Sequence, residues 1–298
     1  MIRTAAVFRD AGLATQLALA AGVSWIVPES LWLPLMRAAG RVEALFSVPR
    51  SREWPNDHQL AVVLACPASA LALERASSCH ASRLYSLREY LPGRRGVPVR
   101  VDGIERVAGA LASGTGAVLW VSRFAWASLI SKMGLHQAGL SVSHLSRSGH
   151  PFGESAFRVR WLNPVSTRIE TRFLRERIVL ERGAETAALR VLRRRLAEGG
   201  VISITVGHDA VRTVDVSVLG VPLRLSTGPM HLAAASGAPL IPVFAIRDGD
   251  GAFVVTLDAP LLVDARADRE KREHDIAAQY ASRLEPWIRR YPGQWLGE

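Results

Sequence analysis

The chain has 298 residues, and 49% of them are hydrophobic, which is enough to build one large α/β core and excludes a disordered chain. Its net charge of +10 comes mostly from arginine, so the surface attracts anionic partners such as phospholipid head groups, acyl carrier proteins or nucleic acid. The two cysteines, Cys66 and Cys79, lie in apolar, helix-like surroundings, which favours reduced thiols over a disulfide framework or a metal site.

The first 46 residues predict two helices that bind a membrane surface. Residues 11–27 carry no charge, but they are too short and too polar for the roughly 20 apolar residues of a spanning helix. Residues 31–46 place apolar side chains at helical spacing, with Arg37 and Arg41 along the edge. We therefore expect a peripheral position on the inner face of the cell membrane. An ordinary helix packed on the core is the alternative, and the weak basic flank disfavours a secretory signal.

The next segments are predicted to be helical up to the central part of the chain. Residues 59–75 and 81–90 predict two helices, and residues 101–116 predict an amphipathic helix that ends in glycines. We accordingly divide the chain into an N-terminal helical, membrane-associating region, residues 1–100, and an α/β domain, residues 101–298.

The central segment GAVLWVSRFAWASLISKMGLHQAGLSVSHLSR predicts one βαβ unit. A buried strand from Ala117 to Val121 ends in a polar turn at Ser122 and Arg123. A short helix then continues to Met133, and a second strand begins near Leu140. The turn after the first strand is therefore the point where a polar site is expected.

An arginine-rich segment, residues 147–182, follows the βαβ unit and also carries several aromatic residues. Arginine beside aromatics can bind phosphate or carboxylate, or stack on bases. The alternative is a solvated helix face with i,i+4 ion pairs from Pro164 onward. Binding to nucleic acid is disfavoured, because the sequence contains no nucleic-acid motif of known spacing.

The C-terminal part alternates strands with helices. Thr227 is a candidate helix cap ahead of Gly228 and Pro229. Strands are predicted at residues 177–180, 201–206, 240–245 and 253–257, and the last of them is expected at the sheet edge. A hairpin is predicted at residues 214–218 and 221–225. Helices are predicted at residues 184–198 and 265–290. This pattern predicts an α/β fold with a mainly parallel central sheet, helices on both faces and additional N-terminal helices.

Three stretches, GVISITVGHD, GPMHLAAASGAPLIPVF and EPWIRRYPGQWL, together with the βαβ unit, resemble the lysophospholipid and lipid A acyltransferase superfamily over residues 101–298. The resemblance implies a glycerolipid acyltransferase-like α/β domain, with its active site where the first strand of the βαβ unit meets its helix. It also implies an acyl-CoA or acyl carrier protein thioester as co-substrate, with no other cofactor and no metal.

The superfamily carries a His, four residues and then an Asp or Glu at this active site. Aligning the strand of the βαβ unit places Arg123 at the His and Ser128 at the acid. A guanidinium stays protonated and only donates hydrogen bonds, so Arg123 cannot act as a base. Ser128 cannot orient an imidazole as a carboxylate would. The sequence therefore predicts a degenerate form of the His-acid motif.

Other histidines that the resemblance places near the cleft are candidate bases. His208 with Asp209 matches a His-Asp pair of the lipid A branch, and His150 precedes Glu154 in a loop. His144 lies near the end of the second strand. Residues that the resemblance places around the substrate are candidates for binding it: Ser122, Arg123, Ser128, Arg147, Thr227, Gly228 and His231.

Three functions from different classes remain. The first, which we favour, is acyl transfer to a lipid or small molecule, with Arg123 as an oxyanion or carboxylate clamp and another histidine as the base. The second is an inactive scaffold that binds an acyl chain or a carrier protein. The third is a hydrolase with Ser122, Ser128 or Ser143 as nucleophile, although the sequence has no Gly-x-Ser-x-Gly elbow.

Overall fold

The computed structural model describes residues 2–46, 57–89, 96–147, 155–181, 185–207 and 212–297. Within these ranges the α-helices are α1 (Ile2–Ile26), α2 (Trp32–Phe46), α3 (Asp57–Val63), α4 (Ala68–Arg88), α5 (Glu105–Ala112), α6 (Ile130–Gln137), α7 (Asn163–Glu170), α8 (Glu185–Ala197), α9 (Gly228–Ser236) and α10 (Arg269–Arg290). The strands are β1 (Val99–Asp102), β2 (Ala117–Val121), β3 (Val142–Arg147), β4 (Glu176–Leu180), β5 (Val201–Thr205), β6 (Thr213–Val218), β7 (Val221–Ser226), β8 (Leu240–Arg247) and β9 (Phe253–Leu257).

The main sheet has the strand order β1-β9-β8-β2-β5-β3-β4. Strands β8, β2, β5, β3 and β4 are parallel, whereas β9 and β1 run in the opposite direction. Every residue of β2 is buried, as expected of an apolar run in a parallel sheet that is covered on both faces. The predicted mixed α/β fold with a mainly parallel sheet is confirmed.

Helices cover the two faces of this sheet with separate apolar cores. One core joins α8, α9, α10 and the β6–β7 hairpin to the sheet. The other joins α4, α5 and α6 to the opposite face and includes Trp32 from α2. The Trp32 ring meets the ring of Tyr85 edge-on at 5.1 Å. The N-terminal helices are therefore packed onto the α/β domain, and α2 supplies part of its core.

Three predictions about the elements are wrong: the start of the helix before β2, the edge position of β9 and the break before α4. Residues 101–102 belong to strand β1, because Gly103 adopts φ +83 and the chain turns there before α5 begins. Because β1 pairs with β9, β9 is internal to the sheet and not its edge. The break between the two helices before the sheet lies at Pro67, which precedes α4, because proline suits a helix start better than its interior. The boundary that we place after residue 100 remains a prediction.

The predicted hairpin is confirmed. Strands β6 and β7 pair antiparallel, and the turn between them uses Leu219 at φ 52 and Gly220 at φ 73, the signature of a type I′ turn. Helix α9 follows with Thr227 at its N-cap position, but the Thr227 side chain makes no capping hydrogen bond. Its carbonyl instead accepts a hydrogen bond from the backbone N–H of His231.

In the described residues, no helix combines the length and the apolar character needed to cross a membrane. Helix α1 has 25 residues, but Arg3, Arg9 and Asp10 interrupt its first part. Around the turn between α1 and α2 several large apolar side chains are exposed, namely Leu19, Trp25, Ile26, Leu31 and Leu35. We call these five residues the apolar turn patch.

Candidate active site

The turn after β2 lies at the carboxyl edge of the parallel strands, where open α/β sheets bind ligands. Ser122 is completely buried, and its hydroxyl shares a 2.6 Å hydrogen bond with the hydroxyl of Tyr280 on α10. Its backbone N–H donates to the carbonyl of Val243 on the neighbouring strand β8. Ser122 therefore ties β2 to α10 and β8, and its hydroxyl is inaccessible to a substrate in this conformation.

Arg123 is half-buried at the same turn. Its carbonyl accepts a 2.8 Å hydrogen bond from Leu296, and the next residues are held by the C-terminal segment in the same way, since Ala125 donates to the carbonyl of Gln294 at 2.7 Å. The Gln294 side chain in turn bonds both the N–H and the carbonyl of Arg247 on β8. The Tyr-Pro-Gly-Gln-Trp segment thus fixes the backbone around the site.

Ser128 lies in the turn between β2 and α6 and is exposed. Its hydroxyl makes no hydrogen bond to the described residues, so Arg123 and Ser128 do not form a pair. Arg147 is exposed at the last position of β3, and its carbonyl accepts a hydrogen bond from Arg177. The structure therefore leaves Ser128 and Arg147 accessible but does not bring them together.

His144 is buried within β3. Its Nδ1 is 2.8 Å from the hydroxyl of Ser203 on the adjacent strand β5. An imidazole enclosed between strands cannot reach a substrate, so we propose no catalytic role for His144. His150, Glu154, His208 and Asp209 lie outside the described residues, and their candidate roles remain predictions.

His231 and Glu273 form a close His–carboxylate pair. His231 lies in the first turn of α9, and its Nε2 is 2.6 Å from Oε1 of Glu273 on α10. The same Glu273 oxygen accepts a 3.0 Å hydrogen bond from Arg269 Nε, while Arg269 Nη2 is 2.7 Å from His231 Nε2. The Glu273 side chain is only 7% exposed, whereas that of His231 is 31% exposed. The second imidazole nitrogen, Nδ1, makes no hydrogen bond to the described residues.

The sequence model of the bacterial lipid A biosynthesis acyltransferases matches residues 98–296. The chain belongs to this family. A search of curated proteins gives no significant match. Membership of the family supports acyltransferase activity in general. The matched region runs from β1 to the C-terminal segment and includes all strands of the main sheet.

In this member of the lipid A acyltransferase family, the surroundings of the His231–Glu273 pair lower the pKa of both groups. Burial lowers the pKa of His231 below its ordinary value, and the charge of Arg269 adds to this effect. Burial opposes ionisation of Glu273, but hydrogen bonding to Arg269 and the nearby His231 still lower its pKa. Nε2 lies near both an acceptor, the Glu273 carboxylate at 2.6 Å, and a donor, Arg269 Nη2 at 2.7 Å. We assign the tautomer in which Nε2 carries the proton and donates it to Glu273, so that Nε2 does not accept from Arg269. The Nδ1 lone pair is then available to accept a proton.

The pair lies on the side of the acyltransferase domain where the parallel strands end. The N–H of Ser226, just before α9, donates to the carbonyl of Gly207, just after β5. Glu273 and Tyr280 lie two turns apart on one face of α10, or about 10 Å, and Tyr280 reaches Ser122. The partner of His231 and the partner of Ser122 are thus two turns apart on the same helix. Sequence spacing did not reveal Glu273 as the partner, because it lies in a different helix.

Two other candidates frame α9. Thr227 is buried, whereas Gly228 is exposed and a Cβ added there would meet no atom. Gly228 therefore leaves open space at the start of the helix that carries His231.

An open groove of about 770 Å³ lies at the far end of the same sheet edge. Its lining includes Glu29, Tyr85, Val99, Arg247 and Phe253. Burial and the neighbouring Glu29 raise the pKa of Tyr85 to about 12, so its hydroxyl stays protonated. The groove borders Glu29 and Ser30, which lie three and four residues after the exposed Ile26 of the apolar turn patch.

Proposed function

We propose that the protein transfers an acyl group from a thioester donor, acyl-CoA or an acyl carrier protein, to a hydroxyl group of a lipid or small molecule. His231 is the general base, and Glu273 orients it. The observation that carries this proposal is the 2.6 Å contact between His231 Nε2 and Glu273, with Nδ1 making no hydrogen bond to the described residues, on a chain that belongs to an acyltransferase family.

The reaction requires one proton transfer in each direction. His231 Nδ1 takes the proton of the acceptor hydroxyl as its oxygen attacks the thioester carbonyl carbon. When the C–S bond breaks, the imidazolium returns this proton to the thiolate, so the products are the ester and the free thiol. Glu273 stabilises the imidazolium, and Arg123 is proposed to stabilise the negative oxygen of the tetrahedral intermediate.

The alternative is an inactive scaffold that binds an acyl chain or a carrier protein. It is favoured by Ser128, which lies at the position of the family's acid, is exposed and makes no hydrogen bond to the described residues. The hydrolase alternative is weaker, because Ser122 and Ser143 are both buried and hydrogen-bonded, to Tyr280 and Glu176.

Rebuilding the family's His–acid pair distinguishes an active acyltransferase from an inactive binding scaffold. We expect the wild-type protein to transfer acyl groups when it is given a panel of acyl-CoA and acyl carrier protein donors with lipid and small-molecule acceptors. The comparison variant carries Arg123→His with Ser128→Asp, and ester formation is measured by mass spectrometry. A silent wild type beside an active rebuilt variant would show that the native chain is a binding module.

Charge supports the proposed partners. An acidic carrier protein is attracted to a surface of net charge +10, and an anionic membrane is attracted in the same way. We propose a peripheral position on the inner face of the cell membrane, with the apolar turn patch inserted into the head-group region. Nucleic acid is disfavoured, because no nucleic-acid-binding motif supports it.

Substitutions in the apolar turn patch test the proposed position on the membrane directly. Trp25 and Ile26 are 69% and 83% exposed, and burying each such side chain contributes about 1.5–3 kcal/mol. Changing both to serine is therefore expected to lower binding to phosphatidylglycerol vesicles at least tenfold in co-sedimentation, with weaker binding of all variants at high salt.

The matched control is Leu262→Ser, because Leu262 is 79% exposed far along the chain. It should leave vesicle binding unchanged. Deleting the first 46 residues would be a poor control, because this removes the buried Trp32 from the core. Wild-type binding by the Trp25→Ser, Ile26→Ser variant would exclude the apolar turn patch as the membrane contact.

A further inference from the structure

A second groove, of about 660 Å³, lies at the opposite end of the sheet, between α7 and the outer strand β4. Two arginines, Arg168 and Arg177, line it together with Thr167 and apolar residues of both elements, and none of the lining residues in the described part of the chain is acidic. We call this the α7–β4 groove. Strand β4 is three positions from β2 in the sheet, so at about 4.8 Å per strand the groove is about 14 Å from the β2 turn.

Arg177 occupies this groove with part of its hydrogen-bonding capacity unused. Its Nη2 donates to the carbonyl of Arg147 at 3.0 Å, but its buried Nε has no hydrogen-bond partner among the described residues. A buried donor of a charged group without a partner is costly. Burial lowers the pKa of Arg177, and the charge of Glu170 opposes this only in part.

The acidic residue whose charge acts on Arg177 is Glu170, and it is already bound to a lysine. Glu170, at the end of α7, accepts a 2.6 Å hydrogen bond from Lys132, and both side chains are buried. Arg168 is exposed on α7, and in the described part of the chain it forms no ion pair. In the described residues the two guanidinium groups of the groove thus face one acidic residue, Glu170, whose carboxylate is already bound to Lys132.

The geometry points to a phosphate-binding site: we propose that Arg168 and Arg177 bind a phosphate group in the α7–β4 groove. Guanidinium groups present parallel N–H donors that match phosphate oxygens, and such charge-assisted hydrogen bonds are among the strongest in proteins. The Nη1 group of Arg177 and the guanidinium of Arg168 make no hydrogen bond to the described residues, so their N–H donors are available to phosphate oxygens. This site does not depend on the proposed acyl transfer.

The phosphate can belong to a lipid head group or to a soluble molecule. The residues just before α7 include exposed Phe157, Val159 and Trp161, in a segment that contains one π-helical turn, Arg158–Leu162, a form often found at functional sites. These apolar side chains suit a lipid. The test therefore begins with inorganic phosphate and then compares the two sources.

Titration calorimetry with inorganic phosphate at constant ionic strength measures the site directly. Arg168→Gln and Arg177→Gln are each expected to weaken phosphate binding about ten- to a hundredfold, the effect of losing one charge-assisted hydrogen bond. Arg177→Lys, which keeps the charge but loses the planar fork, should weaken it by about tenfold. The matched control is Arg190→Gln, since Arg190 is exposed on α8 outside the groove and its loss changes the net charge equally.

Arg168 is exposed, so its substitution tests the site even if Arg177→Gln unfolds the protein. Binding that is unchanged in Arg168→Gln, or reduced equally in Arg190→Gln, overturns the proposal, as does tighter binding of acetate than of phosphate. Dihexanoyl phosphatidic acid and phosphopantetheine are then compared with inorganic phosphate. If phosphatidic acid binds more tightly and its binding depends on Arg168, the ligand is a lipid head group. If phosphopantetheine does so, the ligand is a soluble phosphorylated molecule.

Discussion

Replacing His231 with alanine is expected to lower the acyl-transfer rate by about 10²- to 10⁴-fold, the usual cost of removing a general base. The variant should keep its fold, because the His231 side chain is partly exposed, and a circular dichroism melt checks this. His274→Ala is the matched control: His274 is exposed on α10 next to Glu273, and its loss should leave the rate unchanged.

The pH profile distinguishes a base from a residue that only packs. The active imidazole is neutral, so the rate should fall as pH drops through the pKa of His231, which lies below its ordinary value near 6.5. Arg269 lowers this pKa and Glu273 raises it. Arg269→Gln should therefore move the acid limb to higher pH, and Glu273→Gln should move it to lower pH while also reducing the rate.

The competing candidates are tested in the same assay. A fully active His231→Ala protein beside an inactive His208→Ala or His150→Ala protein would assign the base to the residues that follow β5 or β3. An unmoved acid limb in both Arg269→Gln and Glu273→Gln would separate the His231–Glu273 pair from the chemistry.

Much of the fold follows from local patterns in the sequence. Strand β2 was predicted with its observed ends, because an apolar run of five residues between glycine and a polar turn has few alternatives. The hairpin was predicted from alternation around Leu219 and Gly220. Strand β1 was missed, because it has only four residues with alternating burial. What makes it a strand is its pairing with β9, which lies far along the chain.

The candidate site was much harder to predict, because its contacts join distant segments. His231 was identified as a binding residue, but its carboxylate partner lies on α10, and Tyr280 on the same helix holds Ser122. No spacing rule connects these positions. His144 looked like a candidate near a strand end, whereas the pairing of β3 with β5 encloses it beside Ser203. Only tertiary packing decides which histidine faces solvent.

Replacing Lys132 with methionine is expected to destabilise the protein by about 3–5 kcal/mol, because it removes the lysine that pairs with the buried Glu170 charge. Lys132 on α6 and Glu170 on α7 are each only 4% exposed, with 2.6 Å between Nζ and Oε2. The free energy of unfolding is measured by urea denaturation at neutral pH. Lys271 forms an ion pair with Asp275, and their side chains are 69% and 53% exposed. The same Lys→Met change at Lys271 should therefore lower the free energy of unfolding by less than about 1 kcal/mol.

The double variant Lys132→Met, Glu170→Met distinguishes the cost of removing one charge from the contribution of the whole ion pair to the free energy of unfolding. An apolar pair of similar volume removes both desolvation penalties, so it is expected to recover most of the lost stability or to exceed the wild type. If the double variant is as unstable as Lys132→Met alone, the loss comes from packing around the lysine stem and not from the charge. If Lys132→Met and Lys271→Met cost the same, burial does not set the strength of this ion pair, and α6 and α7 are held together by their apolar contacts.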